Sequence, residues 1–227
     1  LHGIFQDLEV LIVDWASAPL LRDGRTIGRI DVLVDRTHQR DLEQALEIAR
    51  DKMASISLVD ELTGLANRRH FENEIDREHR RSQRAWSSYA IARIDIDGMA
   101  ALNADLGHGM GDRLLRRLGE ELKSARREYD LVARWEQDEL IVLLPGIDGS
   151  SVKAVLSRSI AAMRDVAGEL TGRDVTFCTG VALWIPPSVE TANDIVARAG
   201  TALQAAQLMG PGTTEIDASS VEWKDEP

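Results

Sequence analysis

The sequence predicts an α/β domain preceded by a short β segment and a linker helix. Three observations carry that prediction. From Asp60 onward, apolar runs of strand length alternate with stretches of helical period. Before them, Leu42, Leu46, Ala49, Met53 and Ile56 recur at intervals of four and three residues, the a/d seam of a heptad helix. Earlier still, Val10 to Val13 and Ile27 to Asp35 are apolar and rich in β-branched residues, with the turn pair Asp23-Gly24 between them.

The elements follow in order. Residues 1–36 read as strands; two or three such strands bury no core alone, so they either close a domain or add a hairpin to the next one. Residues 37–59 read as a helix with Thr37 as N-cap, suited to pairing with the same helix of a second copy or to ordinary packing. Residues 60–216 form the α/β region. Helix is predicted over Asn67 to Arg84, Leu114 to Arg127, Ser151 to Leu170 and Thr191 to Met209. Strands are predicted over Tyr89 to Ile96, Val175 to Trp184 and Thr214 to Ile216, and a hairpin over Leu131 to Trp135 with Leu140 to Leu144. Residues 217–227 read as a polar, frayed tail.

Composition narrows the function. With 227 residues, 44% of them hydrophobic, the chain can bury a core and is not a disordered polypeptide. Lys and Arg number 27 against 38 Asp and Glu, a net charge of −11. That balance argues against nucleic acid and anionic membrane surfaces as partners. A phosphorylated ligand would need local cations, a metal ion or backbone N–H groups. The single cysteine, Cys178, excludes an intrachain disulfide and suits a reducing, cytoplasmic setting. No apolar run reaches the ~18 residues of a membrane span, and no secretory leader pattern is present. A chain that begins at Leu1 is expected to be part of a longer one. Ten aromatic residues are few for a single-strand stacking platform.

Three places carry unusual polar density. Asp95-Ile96-Asp97 ends a buried strand, where α/β sheets commonly build phosphate and metal sites. Gly107-His108-Gly109-Met110-Gly111-Asp112 is a glycine-rich stretch opening a helix. Glu136-Gln137-Asp138-Glu139 joins the two hairpin strands. Asp95 and Asp138 on adjacent strands could share a hard divalent cation.

Together these residues resemble a known family. Asp60-Glu61-Leu62-Thr63-Gly64-Leu65-Ala66-Asn67-Arg68 resembles the opening D-x-L-T-x-L-x-N-R of the GGDEF domain, the diguanylate cyclase family. Asp95-Ile96-Asp97, Asn103 and the G-H-x-x-G-D at Gly107 to Asp112 follow in the family's order, and Arg134 to Leu140 stands where R-x-G-G-D-E-F belongs. The resemblance implies a nucleotide-cyclase-like fold, a five-stranded central sheet wrapped by helices. It also implies a reaction in which two GTP, one on each of two subunits, condense to cyclic di-GMP. It carries metal ligation by Asp95, the Ile96 carbonyl and Asp138 (Mg²⁺ being the implied ion), a catalytic acid role to Glu139, and guanine recognition to Asn103 and Asp112. Upstream, Trp15 to Leu20, Asp23-Gly24-Arg25, Ile27 to Ile30 and Asp35-Arg36-Thr37 resemble the closing strands of a PAS sensor domain, and the heptad helix resembles a PAS-to-GGDEF linker.

The phosphate contacts depart from the family pattern. Ala100 stands where D-x-D-x-F-K has its lysine, and Gln207 and Pro211 replace the cations of K-x-x-G-R. The signature glycines are Glu136 and Gln137, which removes positive-φ freedom and brings a carboxylate toward a triphosphate. Two unit charges about 4 Å apart repel by about 4 kcal/mol at an effective dielectric near 20. A degenerate active site is therefore expected. The family's inhibitory R-x-x-D survives as Arg127-Glu128-Tyr129-Asp130, its Asp six positions before Glu136. Arg127 and Asp130, with Arg158 as a third candidate, are expected to bind cyclic di-GMP. His108 and Trp135 read as structural, and Arg80, Arg81 and Arg84 as a solvated helix end. The leading expectation is a homodimeric receptor or scaffold for cyclic di-GMP or GTP. The alternatives are an active cyclase with a divergent signature and an interaction domain that binds no nucleotide.

Overall fold

The computed structural model describes residues 13–36, 38–40, 42, 57–217 and 219, which fall into two compact units, Leu1–Ser57 and Leu58–Pro227.

In the first unit, β1 (Val13–Arg22) and β2 (Arg25–Asp35) form an antiparallel hairpin. Asp23 and Gly24 both take positive φ, 49° and 76°, the backbone that a two-residue turn needs to match the strand twist. The turn sets the pairing, from Arg22 opposite Arg25 to Val13 opposite Asp35, with one register shift between Leu20 and Leu21. Of the strand expected at Val10 to Val13, only Val13 is among the described residues, and it opens β1; the rest lies outside them. Trp15 and Leu33 face each other and stay 62% and 66% exposed, as expected where no layer of described residues covers a two-stranded sheet. His38–Arg40 and Leu42 are helical; the rest of the heptad, with Thr37, lies outside the described residues. Ser57 and Leu58, expected in that helix, are not helical.

The second unit is a six-stranded mixed sheet in the order β3-β5-β6-β4-β7-β8. Its strands are β3 (Ala66–Asn67), β4 (Tyr89–Ile96), β5 (Leu131–Arg134), β6 (Glu139–Pro145), β7 (Phe177–Trp184) and β8 (Thr214–Ile216). The sixth strand, against the five expected, is the two-residue β3, which lies parallel to β5 at the edge. Five helices accompany the sheet: α1 (Arg68–Ala85), α2 (Met99–Leu106), α3 (His108–Ser124), α4 (Gly149–Thr171) and α5 (Ala192–Met209). Asn67 caps α1 by accepting from the His70 N–H at 2.9 Å, and Thr191 with Asp194 makes a capping box for α5.

Strand alternation sorts the core. Ala90, Ala92, Ile94 and Ile96 of β4 pack with Leu114, Leu118 and Leu122 of α3 on one face; Tyr89 and Ile91 pack with Phe71 and Ile75 of α1 and Ala199 of α5 on the other. Arg93 and Asp95 continue the second series, so two charged side chains enter the face covered by α1 and α5.

The sequence expectation missed α2 and began α3 six residues late. The glycines explain both. Gly98 and Gly107, at φ 72° and 85°, are the turns before the two helices, but Gly109 and Gly111 are helical. A Cβ at Gly111 would stand 2.0 Å from Asn103 Oδ1. That glycine serves close approach of α2 and α3 and does not form a loop.

Candidate functional site

The polar residues of the sequence pattern gather where β4 ends, between the α2–α3 pair and the β5–β6 turn. Asn103, Asp112, Gln137 and Asp138 line one cavity of about 420 Å³ there, with Ala100 and His108. Asn103 Oδ1 is buried there without a hydrogen-bond partner, an acceptor that lacks a donor.

Around this cavity Asp95, Asp97 and Arg134 are already bound. Asp95 Oδ2 accepts from Gln207 Nε2 at 3.0 Å, so Gln207 holds a candidate metal ligand. Asp97 Oδ2 accepts from Thr176 Oγ1 and from the Gly212 N–H, both at 2.7 Å, which ties the segment around Pro211 to the strand end. Burial, reinforced by Asp138, Glu139 and Asp97, pushes the Asp95 carboxyl up to about 6, against the Gln207 bond that favours its ionised form. Ala100 contributes an uncharged methyl group to the cavity wall. Arg134 lines the cavity, but its Nε and Nη2 donate to the Gln137 carbonyl at 3.1 and 2.6 Å and its Nη1 reaches Asp60 at 3.3 Å. Burial alone would raise the Asp60 carboxyl; two hydrogen bonds from Thr63 and the Arg134 charge bring it below its ordinary value. The opening motif is thus a turn anchored to the signature strand.

The signature turn itself is closed. The Trp135 N–H donates to the Glu139 carbonyl at 2.8 Å, and neither Glu136 nor Gln137 takes positive φ. Glu136 is exposed and pairs with Arg68 at 3.4 Å. Trp135 is buried edge-on against Phe71, with the Arg68 guanidinium 4.2 Å from its ring centre. Glu139 is buried and held by Arg93, a residue the sequence pattern did not single out. Among the described residues, no group of three or more His, Cys, Asp or Glu side chains is arranged to hold a metal ion.

The R-x-x-D residues lie apart, between α3 and β5. The Arg127 N–H donates to Asp130 Oδ2 at 3.1 Å and the Asp130 N–H returns to the Arg127 carbonyl, so the two close one turn. Asp130 lines a second cavity of about 470 Å³ with Tyr129, Glu74, Arg77, Glu78 and Arg81. Arg127 is exposed and does not line it. Arg158 bonds the Ala154 carbonyl of its own helix and is not brought into it either. Arg81, expected as a solvated helix end, lines the cavity and pairs with Glu78 at 2.7 Å; only the packing of α1 beside β5 reveals this.

Comparison with known proteins supports the fold. The family model described as "Diguanylate cyclase, GGDEF domain" matches residues 57–212. The chain is 27% identical over 190 residues to the diguanylate cyclase DgcP of Pseudomonas aeruginosa, covering 83% of this chain and 28% of that protein. It is 30% identical over 187 residues to the cyclic di-GMP phosphodiesterase NbdA of the same organism, covering 81% of this chain and 24% of that one. It therefore spans about a quarter of the length of these curated relatives. Among solved structures, the diguanylate cyclase SiaD of Pseudomonas aeruginosa, in complex with its activator SiaC, superposes with a TM-score of 0.63 at 32% identity, over 80% of this chain and 71% of SiaD. With the family model spanning more than half of its length, this chain belongs to the GGDEF-domain family of diguanylate cyclases.

Proposed function

We propose that this chain is a cyclic di-GMP signalling module whose GGDEF domain has lost efficient cyclisation of GTP and serves as a nucleotide receptor or regulatory scaffold. One observation carries the reading: around the strand-end pocket the cations are absent or engaged. Ala100 lines it without charge, Gln207 is bound to Asp95, and Arg134 is bound to Gln137 and Asp60. Removing one preorganised transition-state contact costs roughly 10²–10³ in rate, and several are missing. Asn103 and Asp112 retain the chemistry to read a guanine edge, and the orphaned Asn103 acceptor suits a ligand N–H.

Asp95 and Asp138, with the Ile96 carbonyl, suit Mg²⁺ as hard oxygen donors; the Asp95 carboxyl is raised first by burial and then by its acidic neighbours Asp138, Glu139 and Asp97, whose charge a cation would offset. Bound there, the ion would supply charge neutralisation for a triphosphate. That pair of carboxylates is also what favours the second reading, a slow cyclase with a divergent signature.

The 127–130 turn and its neighbouring cavity are the proposed seat of cyclic di-GMP, through Arg127 and Asp130 with Arg77 and Arg81 from α1. Arg158 is a distal candidate at most. Residues 1–36 are proposed as PAS-derived strands and 37–56 as the helix of a cytoplasmic homodimer; no helix among the described residues is long and apolar enough to cross a membrane. The test is calorimetry with GTP and with cyclic di-GMP on wild type and Arg127→Ala, beside chromatography of a GTP and Mg²⁺ reaction. Cyclic di-GMP heat that falls in the variant, with no product formed, is expected. Robust product formation would overturn the reading.

A further inference from the structure

Asp95 of β4 and Glu139 of β6 are direct cross-strand partners on the same face of the sheet. Like charges in that relation repel, and neither strand can turn its carboxylate away without leaving the register. In an acidic strand end of this kind a divalent cation is the simplest counter-ion. This chain carries another. Arg93 stands two residues before Asp95, opposite Ile141, and reaches diagonally to Glu139. Its Nη2 donates to Oε2 at 2.7 Å and its Nε to Oε1, a two-pronged pairing that takes both carboxylate oxygens. The pair is shielded, with side chains 18% and 9% exposed. The guanidinium lies 5.4 Å from the Trp135 ring centre. On its other side it passes Gly200 of α5, where a Cβ would stand 2.4 Å from Arg93 Nη1. A glycine on the helix, an indole in the turn and a carboxylate on the next strand thus form a socket for one guanidinium.

We propose that Arg93 is a built-in counter-ion that withdraws Glu139 from divalent metal, so that any ion at the strand end binds through Asp95 and Asp138, without Glu139 and weakly. Arg93 is a positioning residue: it acts through Glu139 and sets the metal affinity of the pocket. The inference deepens the reading of a pocket unable to cyclise GTP and rests on it for the pocket's place. It is tested by metal binding, so its failure and that of the turnover reading show in different measurements.

The probe is Mn²⁺ alone, followed by electron paramagnetic resonance of the free ion and by calorimetry, on the full chain. Glu139→Gln should leave the Mn²⁺ affinity within twofold of wild type, since Glu139 is not a ligand. Arg93→Met, which keeps length and loses charge, should tighten Mn²⁺ at least tenfold, and Arg93→Met/Glu139→Gln should return to wild type. Arg93→Lys, with one charge and no fork, should fall between. A tenfold weakening in Glu139→Gln, or a folded Arg93→Met that binds Mn²⁺ no tighter than wild type, would overturn the proposal. If circular dichroism shows Arg93→Met unfolded, Glu139→Gln decides alone.

Discussion

Arginines stand both at the strand end and at the cavity beside the 127–130 turn, but they are spent differently. At the strand end, Arg134 lines the pocket and Arg93 projects from β4 nearby; each is 18% exposed and bonded to groups of the signature turn or the segments that flank it. At the cavity, Arg77 and Arg81 are 69% and 55% exposed, and their partners Glu74 and Glu78 sit three residues earlier on the same helix. Exposed pairs at that spacing contribute little, whereas breaking a buried pair leaves an uncompensated charge. An anionic ligand can therefore compete for the second set of guanidinium groups and not for the first. Counting cations near a cavity does not tell whether it can hold phosphate; their existing partners do.

The contrast can be broken most directly by stability. Glu139→Ala should cost about 3–5 kcal/mol in urea denaturation, and Glu74→Ala less than about 1 kcal/mol. Equal losses would mean that the two sets are not different in kind. Next in size is Gly111→Ala. Its methyl would strike Asn103, costing about 1–3 kcal/mol, and should weaken GTP binding in calorimetry while leaving cyclic di-GMP binding unchanged. Arg81→Ala is the converse, with cyclic di-GMP weakened about tenfold and the melting temperature nearly unmoved.

The smallest effect is a pH dependence on the α1 side of the sheet. His79 is buried, shares a 2.9 Å hydrogen bond with Tyr89 and lies edge-on to Trp184. Burial lowers its pKa below 6.5, opposed by Asp76 and helped by Arg80. The unfolded chain therefore takes up a proton first, and the contribution of neutral His79 is present above pH 6.5 and lost as pH falls below it. Denaturation at pH 7.5 and 5.5 should show a shallow loss in wild type beyond that of His79→Gln; the difference between the two cancels all other titrating groups.

Much of the fold was legible beforehand because it is written in local periods. The strand Tyr89–Ile96 shows as an apolar run that only Arg93 and Asp95 interrupt. Helix α1 shows as an amphipathic stretch behind a capping Asn67. Helix α2 and the first turn of α3 did not show, because glycine signals a loop unless the neighbour that needs its missing side chain is known, and Asn103 lies eight residues from Gly111. The candidate site divides the same way. Asp95, Asn103, Asp112 and Asp138 could be picked out by residue type and spacing. Arg93 and Arg77 are not singled out that way, and Arg81 reads as solvated charge at a helix end.

By itself, then, the sequence determined most of the elements and their order, the family, and that positions 100, 207 and 211 carry the uncharged Ala100, Gln207 and Pro211. These depend on residue type and on neighbours a few positions away. Only the tertiary structure decided which of the remaining charges are committed. That depends on strand register, which sets Asp95 opposite Glu139 and Arg93 within reach of it, and on helix packing, which brings Gly200 over Arg93 and α1 beside Asp130. Register and packing join residues tens of positions apart, and no local period encodes them.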